Sequence, residues 1–545
     1  MSTNAIAGVI LAVLVLYVTK ILLTRKSTPG SLPPGPPGIP LLGNIFDLPA
    51  SDKPDWEHWT DHKTTYGNAY YPLYGPISSL TVMGKTMVIL NDMDIAKEIL
   101  EKRSKNYSSR PELVFASEMV GWKDILAMQT NPTAYRKAIH PCIGTYTAMN
   151  QFDELLEVES QRFLLRVLAQ PKGFIQHIRK QAGAIILKIA YGYTIEPHKD
   201  DPLVDMAELA LGHFSRAGTP GAWLVDIIPA LKHVPSWLPG AGFKRLAQAW
   251  KNNLDNVANV PYAFVQQGFE QDNFYPSYLS HLFQADESLL NEKKGETETE
   301  KRRIAKWTAA SLYTGGADTV VSSMETFFLA MTLFPEVQEK AQKEIDRVLG
   351  HACRLPTLAH RTNLPYINAV VKETLRWHPV APMGIPHLSV EDDKFDNYFI
   401  PKGSIVMANI WAMTQDPETY ANPTEFKPER FLQEDGRDTE PDPENAVFGF
   451  GRRICPGRAL ANNLLFLSIS QSLAAFNIQA TGNSKTVDLE KAFSPGVVSH
   501  PVPFDCNIEP RSKKHEELVK SVEERHPWET SNAPAIKQLL SVNGA

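Results

Sequence analysis

Hydrophobic and polar positions fall into four successive regimes along the 545 residues. Residues 5–23 are apolar apart from Thr19 and Lys20. A dense proline and glycine stretch follows, then a segment with alternating β-formers over 70–90, interrupted at Gly75-Pro76 and Gly84-Lys85. That alternation predicts a small antiparallel sheet. From Asp92 onward apolar positions recur at helical spacing: 94–103, 151–169, 174–191 and 243–269, then 306–332, 336–349 and 364–378. Residues 293–303 are charged and predict an exposed connector, while 398–400 and 405–409 predict short strands. The fold class is mainly α with a minor β part.

At about 1.5 Å per residue, the first apolar run extends roughly 28 Å, enough for a bilayer core. No positive charge precedes it, whereas Arg25 and Lys26 follow it. This layout predicts an uncleaved anchor over 1–23, with the bulk of the chain on the cytosolic side. Residues 24–50 form a Pro/Gly-rich hinge, too rich in proline to continue a helix. No break in composition divides 51–508, which is expected to be one large domain. Residues 509–545 are a polar extension in which 512–525 predicts a solvated helix.

Composition narrows the chemistry. A net charge of −6 argues against nucleic acid as the main partner. Cys142, Cys353, Cys455 and Cys506 lie far apart with no CxxC spacing, which excludes a disulfide framework or a zinc finger. Residues 227–245 carry Trp237 on an apolar loop edged with lysine and histidine, suited either to a bilayer interface or to core packing.

Three constellations carry candidate chemistry. Phe448-Gly-Phe-Gly-Arg-Arg-Ile-Cys455-Pro-Gly457 places a thiol beside Arg452 and Arg453 and ahead of a helical run from Arg458. Cations, backbone N–H groups and a helix N-terminus all favour a thiolate. Gly315-Gly-Ala-Asp318-Thr319 interrupts an apolar helix, weakening it where a carboxylate and a hydroxyl stand side by side, a pair able to relay protons. Glu373 and Arg376 lie one helical turn apart, with Arg430 downstream.

These segments resemble the cytochromes P-450. All five defined positions of the family's heme loop are present: Phe448, Gly451, Arg453, Cys455 and Gly457. Gly315–Thr319 is similar to the oxygen-binding motif, and Glu373, Arg376 and Arg430 to the Glu-Arg-Arg triad that locks the fold. The resemblance covers residues 32 to about 508 and is strongest to fungal microsomal members. It implies heme b with Cys455 as iron ligand. Arg453, His387 and Arg136 are implied as propionate partners, although Pro132 stands where the family usually has the tryptophan that accompanies Arg136. Thr319 and Asp318 are implied as the catalytic pair.

The activity implied is a monooxygenase inserting one atom of O2 into a lipophilic small molecule, such as a terpenoid or polyketide. NADPH and flavins would act only through a separate partner, NADPH-cytochrome P-450 reductase, with cytochrome b5 as a second donor. Arg452 and Arg458 suit docking of an acidic protein, or simply a solvated basic patch. Residues 114–128, 307–315, 380–386 and 493–498 are expected to line the substrate space. The expected location is the endoplasmic reticulum membrane, single-pass. A P-450-fold isomerase or dehydratase, and a non-catalytic heme-binding protein, are the alternatives; the intact Asp318-Thr319 pair weighs against both.

Overall fold

The computed structural model describes residues 30–49, 53–65, 75–219, 222–286, 289, 296–433, 436, 438–482, 484 and 487–542. The expected anchor over 1–23 lies outside these residues, as do the start of the hinge and the start of the alternating stretch. Among the described residues no single helix is long and apolar enough to cross a membrane. The chain divides into two compact units.

The first unit takes the described residues up to Pro111 together with Met383–Ala412 and Phe450–Arg452. It holds helix α1 (Asp55–Thr65) and strands β1 (Ile77–Val82), β2 (Lys85–Leu90), β3 (His387–Leu388), β4 (Asp393–Phe395), β5 (Tyr398–Ile400) and β6 (Ile405–Ala408). As the alternation predicts, β1 and β2 pair antiparallel, Val82 opposite Lys85. Met83 and Gly84 close the turn with φ of 48° and 85°, the left-handed pair that matches strand twist in a two-residue hairpin. β6 then joins β2 in parallel and β3 pairs antiparallel with β6, giving the order β1-β2-β6-β3. β4 and β5 form a separate hairpin.

The second unit is helical. Its longer helices are α2 (Thr133–Ile143), α3 (Asp153–Ala169), α4 (Phe174–Tyr191), α5 (Pro202–Ala217), α6 (Gly242–Glu270), α7 (Tyr278–Ala285), α8 (Glu296–Ala317), α9 (Thr319–Leu333), α10 (Pro335–Leu349), α11 (Pro365–Trp377), α12 (Arg458–Ala475), α13 (Lys513–Arg525) and α14 (Ala533–Val542). β7 (Phe476–Ala480) and β8 (Cys506–Pro510) pair antiparallel beside them. The core lies where α8 packs on α4, α3 on α4 and α12, and α9 on α12. α9 and α12 are buried nearly all round, and polar side chains on them are bonded internally, as Thr326 is to Ser322 O, Ser472 to Ser468 O and Gln471 to Pro356 O.

Two expectations are corrected here, and one open alternative is closed. The charged stretch at 293–303 is not a connector from Glu296 on: those residues are the first turns of α8. Glu, Lys and Arg are good helix formers, and Glu300 and Arg303, three residues apart, pair at 2.8 Å. The polar extension is not a solvated tail: His515, Val519 and Val522 of α13 are buried, α13 packs on α3, and α14 packs on α6. Core packing of Trp237 is excluded, since the side chain is 78% exposed.

Candidate active site

The cysteine loop is built by glycine conformations. Gly449 and Gly451 take φ of 77° and 51°, and the Cys455 N–H donates to Phe448 O at 2.8 Å, closing the turn. A Cβ on Gly451 would lie 2.6 Å from Leu100 O, so only glycine fits. Gly457, whose Cβ would stand 3.9 Å from Cys455 Sγ, precedes α12.

Cys455 has a surface open to water-sized contact, yet protein surrounds it at slightly longer range. Burial pushes the thiol pKa up, while the Gly457 N–H, Arg136 and Arg458 pull it back. Arg136 donates to Ile454 O at 2.8 Å, one residue before the thiol. Pro132, where a tryptophan was expected, caps the start of α2, so that position is taken up in beginning the helix. Arg453 donates to the carbonyls of Gln129 and, at 3.2 Å, Thr130. Burial and the neighbouring Arg136 lower its pKa to about 10.

The α8–α9 axis supplies the second half. The sequence predicts weakness at Gly315-Gly316, but the break falls at Asp318, with φ −125° and ψ −36°. Thr319 Oγ1 donates to Gly315 O at 2.8 Å across that break. Gly315 is exposed, between buried Thr314 and half-buried Gly316, and a Cβ there would touch nothing within 4 Å. Gly316 has a packing reason: its Cβ would press on Ile186 at 3.0 Å. Asp318 is paired with His500, Nε2 to Oδ1 at 3.3 Å. His500 has no periodicity or motif to announce it, and the sequence reading missed it.

Glu373 anchors the support. Fully buried, it accepts from Arg376 Nε (2.7 Å) and Nη2 (2.9 Å), Arg430 Nε (3.1 Å) and the Lys427 N–H (2.7 Å). The guanidinium of Arg376 also binds the carbonyls of Thr414, Pro423 and Glu425. This network pins the segment leading into the cysteine loop. His387 belongs to the first unit, where it is buried on β3 with Nδ1 2.7 Å from Tyr107 O.

The family model for cytochrome P-450 matches residues 33–508. The chain belongs to the cytochrome P-450 family. Its cofactor is accordingly heme iron and its reaction class that of a monooxygenase. The residues present suit the group: a thiol with N–H and cationic support, and a helix face opened at Gly315. Among curated relatives, cytochrome P-450 monooxygenase ppsD of Aspergillus oryzae is 45% identical over 521 residues, covering 94% of this chain and 95% of that protein. Cytochrome P-450 monooxygenase claR of Ampulloclitocybe clavipes is 45% identical over 526 residues, 96% and 94% respectively. O-methylsterigmatocystin oxidoreductase of Aspergillus flavus is 41% identical over 539 residues, 98% of each.

Proposed function

We propose that this P-450 oxidises a lipophilic fungal secondary metabolite of the terpenoid or polyketide type, drawing electrons from NADPH-cytochrome P-450 reductase. Heme iron, when bound, supplies the reduction of O2 and the insertion of one oxygen atom. Cys455 would hold the iron through its thiolate, with Phe448, Gly451 and Gly457 shaping the loop; Arg453, Arg136 and His387 are the candidates to meet the propionates. The observation that carries the reading is a thiol with N–H and cationic support in the loop leading into α12, together with a hydroxyl at the helix break that opens α9, the helix packed on α12.

Thr319 holds its proton on Gly315 O at 2.8 Å, where the hydroxyl can turn to stabilise a water without losing its place. Asp318, next in chain, connects that hydroxyl to the protonatable groups behind it. Arg452 is exposed and suits an acidic redox partner. For location, the apolar run over 1–23 supports an anchor in the endoplasmic reticulum membrane with the catalytic part cytosolic. The exposed Trp237 and Leu238 support contact of the 227–245 loop with that bilayer.

The test is Thr319→Ala. Heme content and substrate-induced spectral shifts should be kept, while product formed per NADPH falls on the order of tenfold and hydrogen peroxide rises to match. Unchanged coupling would remove Thr319 from proton delivery. Cys455→Ser should abolish the red-shifted band of the reduced carbon monoxide complex.

A further inference from the structure

His500 sits on the segment in which Phe493 bridges Pro501, and its ring lies between two acids. Nε2 is 3.3 Å from Asp318 Oδ1 and Nδ1 is 3.0 Å from Glu325 Oε2. The acids are seven residues apart, two helical turns, and so share a face. The segment is fastened from behind. The His500 N–H donates to Ser494 Oγ at 3.1 Å, and its carbonyl accepts from Ser494 N at 2.8 Å. Ser322 Oγ of α9 donates to Ser499 O at 2.5 Å, and His378 Nε2 meets Ser499 Oγ at 2.8 Å. Beyond Glu325, Arg179 Nη2 of α4 lies 4.0 Å from its second oxygen, and Arg179 Nη1 pairs at 2.9 Å with Glu208, whose side chain is 43% exposed.

We propose that His500 is a positioning residue for proton delivery: bridged to Glu325, its imidazolium holds the Asp318 carboxylate at the helix break beside Thr319, at the inner end of a chain of charged groups running through Arg179 to Glu208 at the surface. This rests on the relay role given above to Asp318 and Thr319. The groups around the ring agree on its charge. Burial opposes protonation, but the hydrogen bonds and charges of Asp318 and Glu325 outweigh it and push the His500 pKa up to about 10. His378, the other ionisable group behind the segment, is pressed by burial down to about 3 and stays neutral. Arg179 is one place further out, on the far side of Glu325. A ring raised from 6.5 to about 10 on folding contributes stability that is whole below pH 6.5 and is lost as pH climbs through 10.

The experiment uses heme-loaded His500→Phe, Glu325→Gln and Thr319→Ala proteins beside wild type, each checked by its carbon monoxide spectrum. The first readout is the melting temperature of the ferric protein, followed by heme absorbance from pH 6 to pH 10.5. The gap between wild type and His500→Phe should be widest at pH 6–7 and close towards pH 10.5. The second is product per NADPH. His500→Phe should lose about tenfold, the low end for a residue acting through a catalytic group's outer contacts. Glu325→Gln, conserving shape but leaving the ring one acid, should approach wild type at pH 6 and leak hydrogen peroxide progressively above neutrality. A gap that does not vary with pH overturns the charged bridge. Wild-type coupling in His500→Phe overturns the positioning role, while leakage in Thr319→Ala would then leave the relay standing. Full coupling in Thr319→Ala overturns the relay reading itself.

Discussion

Replacing Glu373 with alanine should cost this protein a large part of its stability, by an amount the geometry sets. Four donors converge on the carboxylate at 2.7–3.1 Å, in a place with no solvent access. Arg430 would keep a second carboxylate, Glu440, at 2.5 Å. Arg376 would keep no carboxylate, only the carbonyls of Thr414, Pro423 and Glu425 and the Tyr420 ring 5.5 Å from its guanidinium. The variant therefore strands one buried guanidinium charge rather than two, a loss of about 3–5 kcal/mol. Set against a total of about 5–15 kcal/mol for a folded domain, a mid-range loss lowers the folded-to-unfolded ratio about a thousandfold. Glu373→Gln should recover little of it, because the amide restores shape but not charge and turns an N–H2 group towards donors. Lys340→Ala is the control: its 2.6 Å bond to Glu429 involves a side chain 54% exposed, and such pairs are worth about 0–1 kcal/mol. The assay is the fraction of purified protein giving the carbon monoxide spectrum, together with the urea midpoint of the ferric form. A Glu373→Ala protein that loads heme normally and melts within about 1 kcal/mol of wild type would refute the claim that this charge network holds the segment.

Gly451→Ala should cost about 1–3 kcal/mol and reduce heme retention, because the new Cβ meets Leu100 O at 2.6 Å from a left-handed backbone; Gly240→Ala, at φ 89° with open space around it, isolates the conformational share. Trp528→Ala removes the ring lying 5.2 Å from the Arg162 guanidinium and 5.0 Å from that of Arg166, and calorimetry should show a loss of about 1–2 kcal/mol.

The parts of this molecule legible in its sequence are those where one physical signal acts alone. Apolar periodicity places α4 at 174–191, and β5 matches its expected limits. The thiol loop is readable because glycine and arginine positions there answer to a single demanding geometry. The α8 start is obscured because its charged turns are held by pairs such as Arg303–Asp124 at 2.7 Å, between residues 179 positions apart. The helix break moves from the glycines to Asp318 because Gly316 is needed small against Ile186, and the carboxylate next to it has a partner in His500. No local pattern could name that histidine: its meaning comes from Asp318 and Glu325, far away in the chain.

The C-terminal extension has a consequence in time. Arg162 and Arg166, set in α3 early in synthesis, are completed by Pro527 O, which accepts from Arg162 at 2.7 Å, by the Trp528 ring and by Glu529, which also pairs with Lys188 at 2.7 Å. These partners leave the ribosome roughly 20–70 s after the arginines at ordinary rates of synthesis. Until they arrive, Glu159 alone among the described residues answers two cations, at 2.6 Å from Arg162 and 3.6 Å from Arg166, leaving α3 costly to dehydrate, and α3 is the surface on which α12, the helix following Cys455, must settle. Residues 527–529 thus finish a support laid down far earlier in the chain: a protein lacking them would present its cysteine loop on a helix whose buried cations are incompletely met.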